Sequence, residues 1–278
     1  MHINRLQAIL IGVVVALSGY WLFILSTGSK DGFHNFFFSF LFGLIPLIGG
    51  LIGMYGARIW GWLSSTIGRA VFFISLGSFL WGAGEMVWSY YNFFADTAAP
   101  YPSLADIGFG PSIAFWLIGT FYVAKACGAK YGLRSTATRA TIGLIVLAVI
   151  GFSWYLQIHV ARDGVLLTAP NDMLKVVLDI IYPLGDALAL VVAVVVFGAS
   201  RKYLGGRYRL SILALLFGLA VMYFADFTFS YTTTTETYYN ADWGDWFLMF
   251  GNALIVFGAL GFAVRPKLTK KSTSPEVS

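Results

Sequence analysis

Long apolar stretches alternate with short polar segments along the chain. An α-helix needs roughly 20 mostly apolar residues to cross the hydrocarbon core of a bilayer. Eight stretches qualify, at residues 6–26, 36–57, 69–94, 106–126, 140–160, 173–199, 209–231 and 244–264. The pattern predicts an all-α, polytopic integral membrane protein of about eight transmembrane helices, forming a single domain over residues 1–264. The polar segment 265–278 is expected to be a disordered cytoplasmic tail.

The composition indicates that lipid is the solvent of these apolar side chains. The chain is 58% hydrophobic and 11% charged, whereas soluble domains carry about 25% charged residues. The net charge of +5 lies in short segments between apolar stretches, so it indicates topology and not a nucleic-acid partner. A single cysteine and three scattered histidines favour neither a disulfide nor a zinc or haem site, and no cofactor is expected.

The basic residues lie mainly on one side of the predicted bundle. With the N-terminus inside, 15 of the 18 Lys and Arg residues fall in inner segments, and only Lys30, Arg162 and Lys175 fall outside. Because positive charge is retained on the cytoplasmic side, the distribution predicts a multi-pass cell-membrane protein with both termini in the cytoplasm. The basic inner loops 127–139 and 200–209 are candidate docking places for a cytoplasmic signalling partner.

The acidic residues have the opposite distribution, since all but Glu276 fall in outer loops or outer helix halves. An ionised carboxylate in hydrocarbon costs on the order of 3 kcal/mol on insertion scales, so acids within spans must face the bundle interior or a wet cavity, or stay protonated. Asp179 and Asp186 are seven residues apart and share a helix face. Lys175 lies four residues before Asp179, and this spacing allows the two to pair.

These acids and nearby aromatic residues predict an outward-facing site for a small polar or cationic ligand, held by charge and cation–π attraction. A hard metal ion or protons would also suit carboxylates. The structural alternative makes Asp106 and Asp245 helix caps, and makes the other acids acceptors that lock helices together. The candidate binding residues are Glu85, Asp106, Asp186, Asp226, Asp245, Trp81, Trp88, Tyr90, Tyr182, Tyr231 and Trp246, and no catalytic residue is assigned.

Short matches indicate an internal repeat of helical hairpins. Residues 85–90 and 226–231 both read acid, two residues, aromatic, Ser, Tyr. Asp106 and Asp245 open the helices that follow, and Asp186 has a similar Leu-Gly-Asp context. The third and fourth, fifth and sixth, and seventh and eighth spans are therefore predicted to be copies of one hairpin. The alternative is chance similarity among apolar helices.

Three motifs carry a resemblance to a known class. Residues 84–91 read Gly-Glu-Met-Val-Trp-Ser-Tyr-Tyr, residues 100–106 read Pro-Tyr-Pro-Ser-Leu-Ala-Asp, and residues 179–188 contain Tyr-Pro-Leu-Gly-Asp. They resemble the multi-helix membrane sensor regions that precede diguanylate cyclase/phosphodiesterase or histidine kinase domains in many bacteria and archaea. Those regions continue into a cytoplasmic output domain, whereas this sequence ends shortly after its last span. The resemblance implies a sensor-like, ligand-binding fold without kinase or cyclase activity.

Three functions remain open at this stage. The first is a stand-alone sensor-like module that binds a small polar or cationic ligand and signals through a partner. The second is a cation- or proton-coupled transporter or channel, favoured by acids within spans and by Pro- or Gly-broken helices. The third is a membrane enzyme that uses paired carboxylates, although the sequence offers it no evident nucleophile or histidine partner.

Overall fold

The computed structural model describes residues 3–95, 100–127, 135–165, 173–200 and 208–263. Within these ranges, eight helices are long and apolar enough to cross a membrane, and no strand is present. The prediction of an all-α fold with eight such helices is confirmed. The predicted tail 265–278 lies outside the described residues.

The helices begin and end within a few residues of the apolar stretches. They are α1 Arg5–Thr27, α2 Phe33–Gly56, α3 Thr66–Phe94, α4 Asp106–Ala126, α5 Thr136–Tyr155, α6 Met173–Ser200, α7 Arg209–Thr234 and α8 Trp243–Phe262. α2 continues into 3₁₀ turns at Ala57–Trp60 and Trp62–Ser64, and α5 continues into a π-helical turn at Leu156–Val160. A π turn of this kind often lies near a functional site.

Local sequence signals fix several helix ends. At the start of α1, the Asn4 side chain accepts from the Gln7 backbone N–H at 2.9 Å, and the Gln7 side chain accepts from the Asn4 N–H at 3.1 Å. This is a capping box. α1 ends at Gly28, whose φ of 68° lies in the left-handed region that favours glycine. Asp242 caps α8 by accepting from the Asp245 N–H at 3.0 Å.

The helices pack as neighbours in sequence and around a common centre. α2 packs on α3, α3 on α4, and α7 on α8, while α6 lies between α4 and α7. Small residues permit the closest approaches, as expected for helices in a membrane. A Cβ on Gly108 of α4 would lie 2.5 Å from the Leu80 carbonyl oxygen of α3.

α1 and α5 lie at the margin of the bundle, where α1 contacts α8 and α2, and α5 contacts α6. Both present large exposed apolar side chains, such as Val15 on α1 and Leu144 on α5, which are 66% and 69% exposed. Apolar surface on this scale suits contact with lipid. The eight apolar helices and these flanks suggest a bilayer environment.

The two ends of the bundle differ in charge. At the end we call the acidic end, the connections at 28–32, 100–105, 161–165 and 235–242 lie together. Asn35 joins two of them, since its side-chain N–H groups donate to the Ser29 and Asn240 carbonyl oxygens at 3.1 and 2.8 Å. The opposite, basic end carries the turns at 57–65 and residues Cys127 and Tyr208.

Candidate functional site

A small cavity, which we call the chamber, lies among α3, α4, α6, α7 and α8 near the acidic end. Its volume is about 50 Å³, and one water needs roughly 10–15 Å³ of such space. The chamber therefore has room for a few water-sized groups. It is lined by Trp81, Glu85, Trp88, Tyr101, Asp106, Phe109, Ile113, Tyr182, Asp226, Phe229, Tyr238, Asp245 and Leu248.

A much larger opening, the vestibule, lies over the chamber at the acidic end. Its volume is about 940 Å³, and it shares Trp88, Tyr101 and Tyr238 with the chamber. These three aromatic side chains therefore stand between the two spaces. The other residues that line the vestibule are Lys30, Asp31, Phe36, Tyr91, Asn92, Ala95, Lys175, Thr233, Glu236, Thr237, Tyr239 and Asn240.

Glu85 reaches the chamber from the middle of α3. It is 5% exposed and accepts no hydrogen bond from any residue in the described ranges. Its stem packs against α2 at Gly43, where a Cβ would collide with the Glu85 side chain. Because buried carboxyl groups are normally hydrogen-bonded, this unpaired group has unused capacity to accept donors from something inside the chamber.

Asp226 reaches the chamber from α7 and has Asp186 of α6 behind it. Asp186 is fully buried, and neither of its carboxyl oxygens faces a hydrogen-bond donor among the described residues. Asp186 itself does not line the chamber.

Asp106 and Asp245 each serve a helix start and the chamber together. Asp106 accepts from the Ser103 N–H and from the Tyr182 hydroxyl, both at 2.6 Å. Asp245 accepts from the Ala241 N–H at 2.7 Å and from the Ser39 hydroxyl at 3.3 Å. Each carboxylate also lies in the first turn of its helix, where the positive end of the helix dipole favours negative charge.

Arg162, just after the π turn, anchors one wall of the site. Its guanidinium forms an ion pair with Asp179 at 2.5 Å and also donates to the Gln157 carbonyl and side-chain oxygens at 2.8 and 3.1 Å. Asp179 accepts in turn from the Tyr101 hydroxyl at 2.7 Å. Burial and the neighbouring Asp179 carboxylate raise the pKa of Tyr101, so this phenol stays protonated and acts as a donor.

Asn240 anchors the opposite wall. Its side-chain oxygen accepts from Trp88 Nε1 at 3.1 Å, from Asn92 at 3.1 Å and from the Ser39 hydroxyl at 3.2 Å. Tyr238 next to it donates to Asp245 at 3.3 Å. Burial, followed by the nearby acids, raises the pKa of Tyr238, so its hydroxyl also remains a donor.

Positive charge is scarce around the chamber. Throughout the described ranges the one ion pair is Arg162–Asp179, and Lys175 donates to the Thr233 carbonyl oxygen at 3.3 Å. In the described residues Asp179 is thus paired with Arg162, which follows α5, and not with Lys175, the partner that the helical spacing allows. The five acids at and behind the chamber, Glu85, Asp106, Asp186, Asp226 and Asp245, have no basic partner among these residues.

Seven of the eleven candidate binding residues line the chamber: Trp81, Glu85, Trp88, Asp106, Tyr182, Asp226 and Asp245. Asp186 lies behind the chamber wall and does not line the chamber. Tyr90, Tyr231 and Trp246 lie elsewhere: Tyr90 is 60% and Tyr231 38% exposed, and Trp246 donates to Ser18 of α1 at 3.2 Å.

Helical geometry explains these three departures. Tyr90 and Tyr231 each follow an acid of the chamber by five residues, which turns a helix by about 140°. Trp246 follows Asp245 by one residue, a turn of about 100°. Each of these side chains therefore points away from the face that carries its acid.

Sequence reasoning missed Tyr101 and Tyr238 as lining residues. Both lie in connections between helices, where helical periodicity gives no direction for a side chain. Tyr101 stands inside the Pro-Tyr-Pro-Ser motif that the sequence marks as distinctive, and this was the available signal. No distinctive sequence motif surrounds Tyr238.

Fold and site together define a polytopic helical membrane protein with an acidic, aromatic chamber near one end of the bundle. No model of a known protein family matches the chain, and no curated protein or solved structure matches it. The function therefore has to be inferred from the geometry of the chamber.

Proposed function

We propose that the protein is a sensor-like membrane module that binds a small ligand through an ammonium group seated in the chamber. The rest of the ligand would occupy the vestibule. The observation that carries this proposal is Glu85, a buried carboxyl group that faces the chamber without a donor in the described part of the chain.

Charge supports a cation as the occupant. Four acids line a chamber that no basic side chain of the described ranges neutralises. A cation would repay part of the cost of holding these carboxyl groups away from water. Trp81, Trp88 and Phe229 add aromatic rings to the walls, and such rings attract a cation placed over their faces.

The size of the chamber and the hydrogen-bond donors that its acids can accept favour an ammonium head group as the cation. Drug-sized ligands need pockets of roughly 300–1,000 Å³, so the chamber accepts only a head group, whereas the vestibule is large enough for a body. A –NH₃⁺ group offers three donors, and four acids line the chamber that would receive it. In the described ranges no group of three or more His, Cys, Asp or Glu residues could hold a metal ion, so a coordinated metal fits less well.

The core beyond the chamber supports binding more than transport. Trp116, Leu219 and Ile255 fill the layer between the chamber and the basic end and are fully buried. Past this layer a cavity of about 130 Å³ is lined by apolar side chains such as Ile74, Val123 and Phe262. An apolar cavity offers a cation no substitute for its water.

Signalling and orientation are part of the same proposal. The resemblance of the Pro-Tyr-Pro-Ser-Leu-Ala-Asp turn to sensor regions supports a receptor role, and the distribution of Lys and Arg supports an orientation with the acidic end outside the cell. A cytoplasmic partner would dock at the basic loops. Most of those loops, including residues 128–134 and 201–207, lie outside the described residues.

Calorimetry with n-butylammonium tests the binding proposal. Purified protein in lipid nanodiscs should bind n-butylammonium, should bind the neutral isostere 1-butanol far more weakly, and should exclude tetramethylammonium, which has no N–H donors. Glu85→Gln should weaken n-butylammonium binding at least tenfold. The matched control Asp163→Asn changes an exposed acid away from both cavities and should bind as the unaltered protein does. Equal heats for amine and alcohol, or unchanged binding by Glu85→Gln, would overturn the proposal.

A further inference from the structure

Two arginines lie at the basic end, where α2 connects to α3. Arg58 belongs to the 3₁₀ turn that follows α2, and Arg69 lies in the first turn of α3. Neither forms an ion pair with any residue in the described ranges, whose single ion pair is Arg162–Asp179. All acids but Glu276 fall in outer loops or outer helix halves. The described part of the basic end therefore offers these two charges no carboxylate.

Aromatic rings hold the Arg58 guanidinium in place. Its central carbon lies 5.0 Å from the ring centroid of Tyr55 and 4.7 Å from that of Trp62. Trp62 has a φ of 55°, in the left-handed region that bulky residues rarely adopt, and such strain persists where the surrounding structure fixes it. A ring face attracts a guanidinium but supplies no oxygen acceptor, so the N–H groups of Arg58 keep their capacity to donate.

Arg69 approaches the same turn from α3. Its guanidinium carbon lies 5.6 Å from the ring centroid of Tyr122 on α4, and its Nε donates to the Leu63 carbonyl oxygen at 2.5 Å. Leu63 directly follows Trp62, against which Arg58 packs. The two guanidinium groups are thus held against adjacent residues of one short segment.

An exposed apolar strip leads away from Arg58 along α2. Ile48 and Leu51 are each 50% exposed, and Tyr55 is 70% exposed. Residues three and four apart lie on one face of a helix, so these side chains form a row that ends at the ring beside Arg58. From Tyr55 to Ile48 the row rises by about 10 Å towards the middle of the helix. We call it the apolar strip.

We propose that Arg58, Arg69 and the apolar strip form a binding site for one anionic phospholipid. The lipid phosphate bridges the two guanidinium groups, which bind phosphate oxygens through charge-assisted, bidentate hydrogen bonds. An acyl chain lies along the strip, and Tyr55 and Trp62 stand at the level of the head group, where such rings are favoured. A zwitterionic head group would bring its own cation to two unpaired arginines, so an anionic one fits better. The site is separate from the chamber and does not depend on ammonium binding.

Native mass spectrometry of the purified protein, titrated with single lipids, tests this site. The unaltered protein should bind one dioleoylphosphatidylglycerol at least tenfold more tightly than dioleoylphosphatidylcholine, and should bind dioleoylglycerol, which has no phosphate, more weakly still. Arg58→Gln should weaken binding of the phosphatidylglycerol at least fivefold. The matched control Arg139→Gln removes an exposed arginine at the start of α5 and should leave the affinity unchanged. Equal affinity of the unaltered protein for the two phospholipids, or equal effects of the two substitutions, would overturn the proposal.

Two further measurements separate a shaped lipid site from other sources of affinity. Arg58→Lys keeps the charge but loses the planar fork, so it should still bind the phosphatidylglycerol at least threefold more weakly than the unaltered protein does. Full affinity in Arg58→Lys would mean that charge alone attracts the lipid, and would overturn the bridged phosphate. Inorganic phosphate has no acyl chain for the strip and should not displace the lipid at equal concentration. Displacement would assign the site to free phosphate and overturn the lipid. The comparisons on the unaltered protein decide the proposal even where a variant fails to fold.

Discussion

Trp88 of α3 and Phe229 of α7 meet edge to face across the chamber, with ring centroids 6.0 Å apart. They occupy the same position in the two matching segments 85–90 and 226–231. The acids three residues earlier, Glu85 and Asp226, line the same chamber. The following serines are both buried, and the following tyrosines are both exposed. Corresponding residues thus take corresponding environments, which is the arrangement that a repeated hairpin would give.

Gly43→Ala should weaken ligand binding without removing any carboxylate. A Cβ at this position of α2 would collide with the Glu85 stem, so the carboxyl group has to shift away from its place in the chamber. We expect at least a fivefold loss of n-butylammonium affinity by calorimetry. The control is Gly12→Ala on α1, where a Cβ meets nothing within 4 Å. If Gly43→Ala binds as tightly as Gly12→Ala, Glu85 does not hold the ligand.

Arg162→Met should destabilise the protein strongly. The side chains of Arg162 and Asp179 are 6% and 1% exposed, and loss of one partner from a buried ion pair typically costs about 3–5 kcal/mol because the other charge stays buried. Reversible unfolding of the purified protein would measure the loss. The double variant with Asp179→Asn should recover part of it. A double variant whose loss equals the sum of the two single losses would show that the two side chains do not interact.

Asn240→Ala should loosen the connection 235–242 above the chamber. Its side-chain oxygen accepts from Trp88, Asn92 and Ser39. The Trp88 and Asn92 donors would lose their acceptor in one step, whereas Ser39 keeps Asp245 within reach. Each buried donor left unpaired costs about 1–3 kcal/mol. Hydrogen exchange followed by mass spectrometry should show faster exchange at 235–242. Thr237→Ala, at an exposed position of the same connection, is the control, and equal exchange in both variants would argue against a role for Asn240 in holding the wall.

Cysteine labelling would determine the orientation of the bundle. Cys127 is the single cysteine, so Cys127→Ser provides a background for single introduced cysteines. On intact cells, a membrane-impermeant maleimide should label Asp163→Cys at the acidic end and should label Arg139→Cys only after permeabilisation. The reverse pattern would place the chamber on the cytoplasmic side.

The sequence predicts the helices well because each carries its own apolar signal, and it identifies Glu85 and Asp226 because charge inside an apolar stretch stands out. It does not show which carboxylate forms an ion pair with a basic side chain. The Arg162–Asp179 pair joins the end of α5 to α6, and Lys175 has the better local spacing. Which face of α8 turns inward is also set by packing between helices, so Asp245 reaches the chamber while Trp246 turns towards α1.

A crystal structure of the protein grown with n-butylammonium tests the ammonium site most directly. The account predicts density for the ammonium nitrogen inside the chamber, within hydrogen-bond distance of Glu85 and Asp226, with the alkyl chain leading past Trp88 and Tyr101 into the vestibule. A saturating amine that leaves the chamber filled with water alone, with Glu85 still lacking a cationic partner, would contradict it.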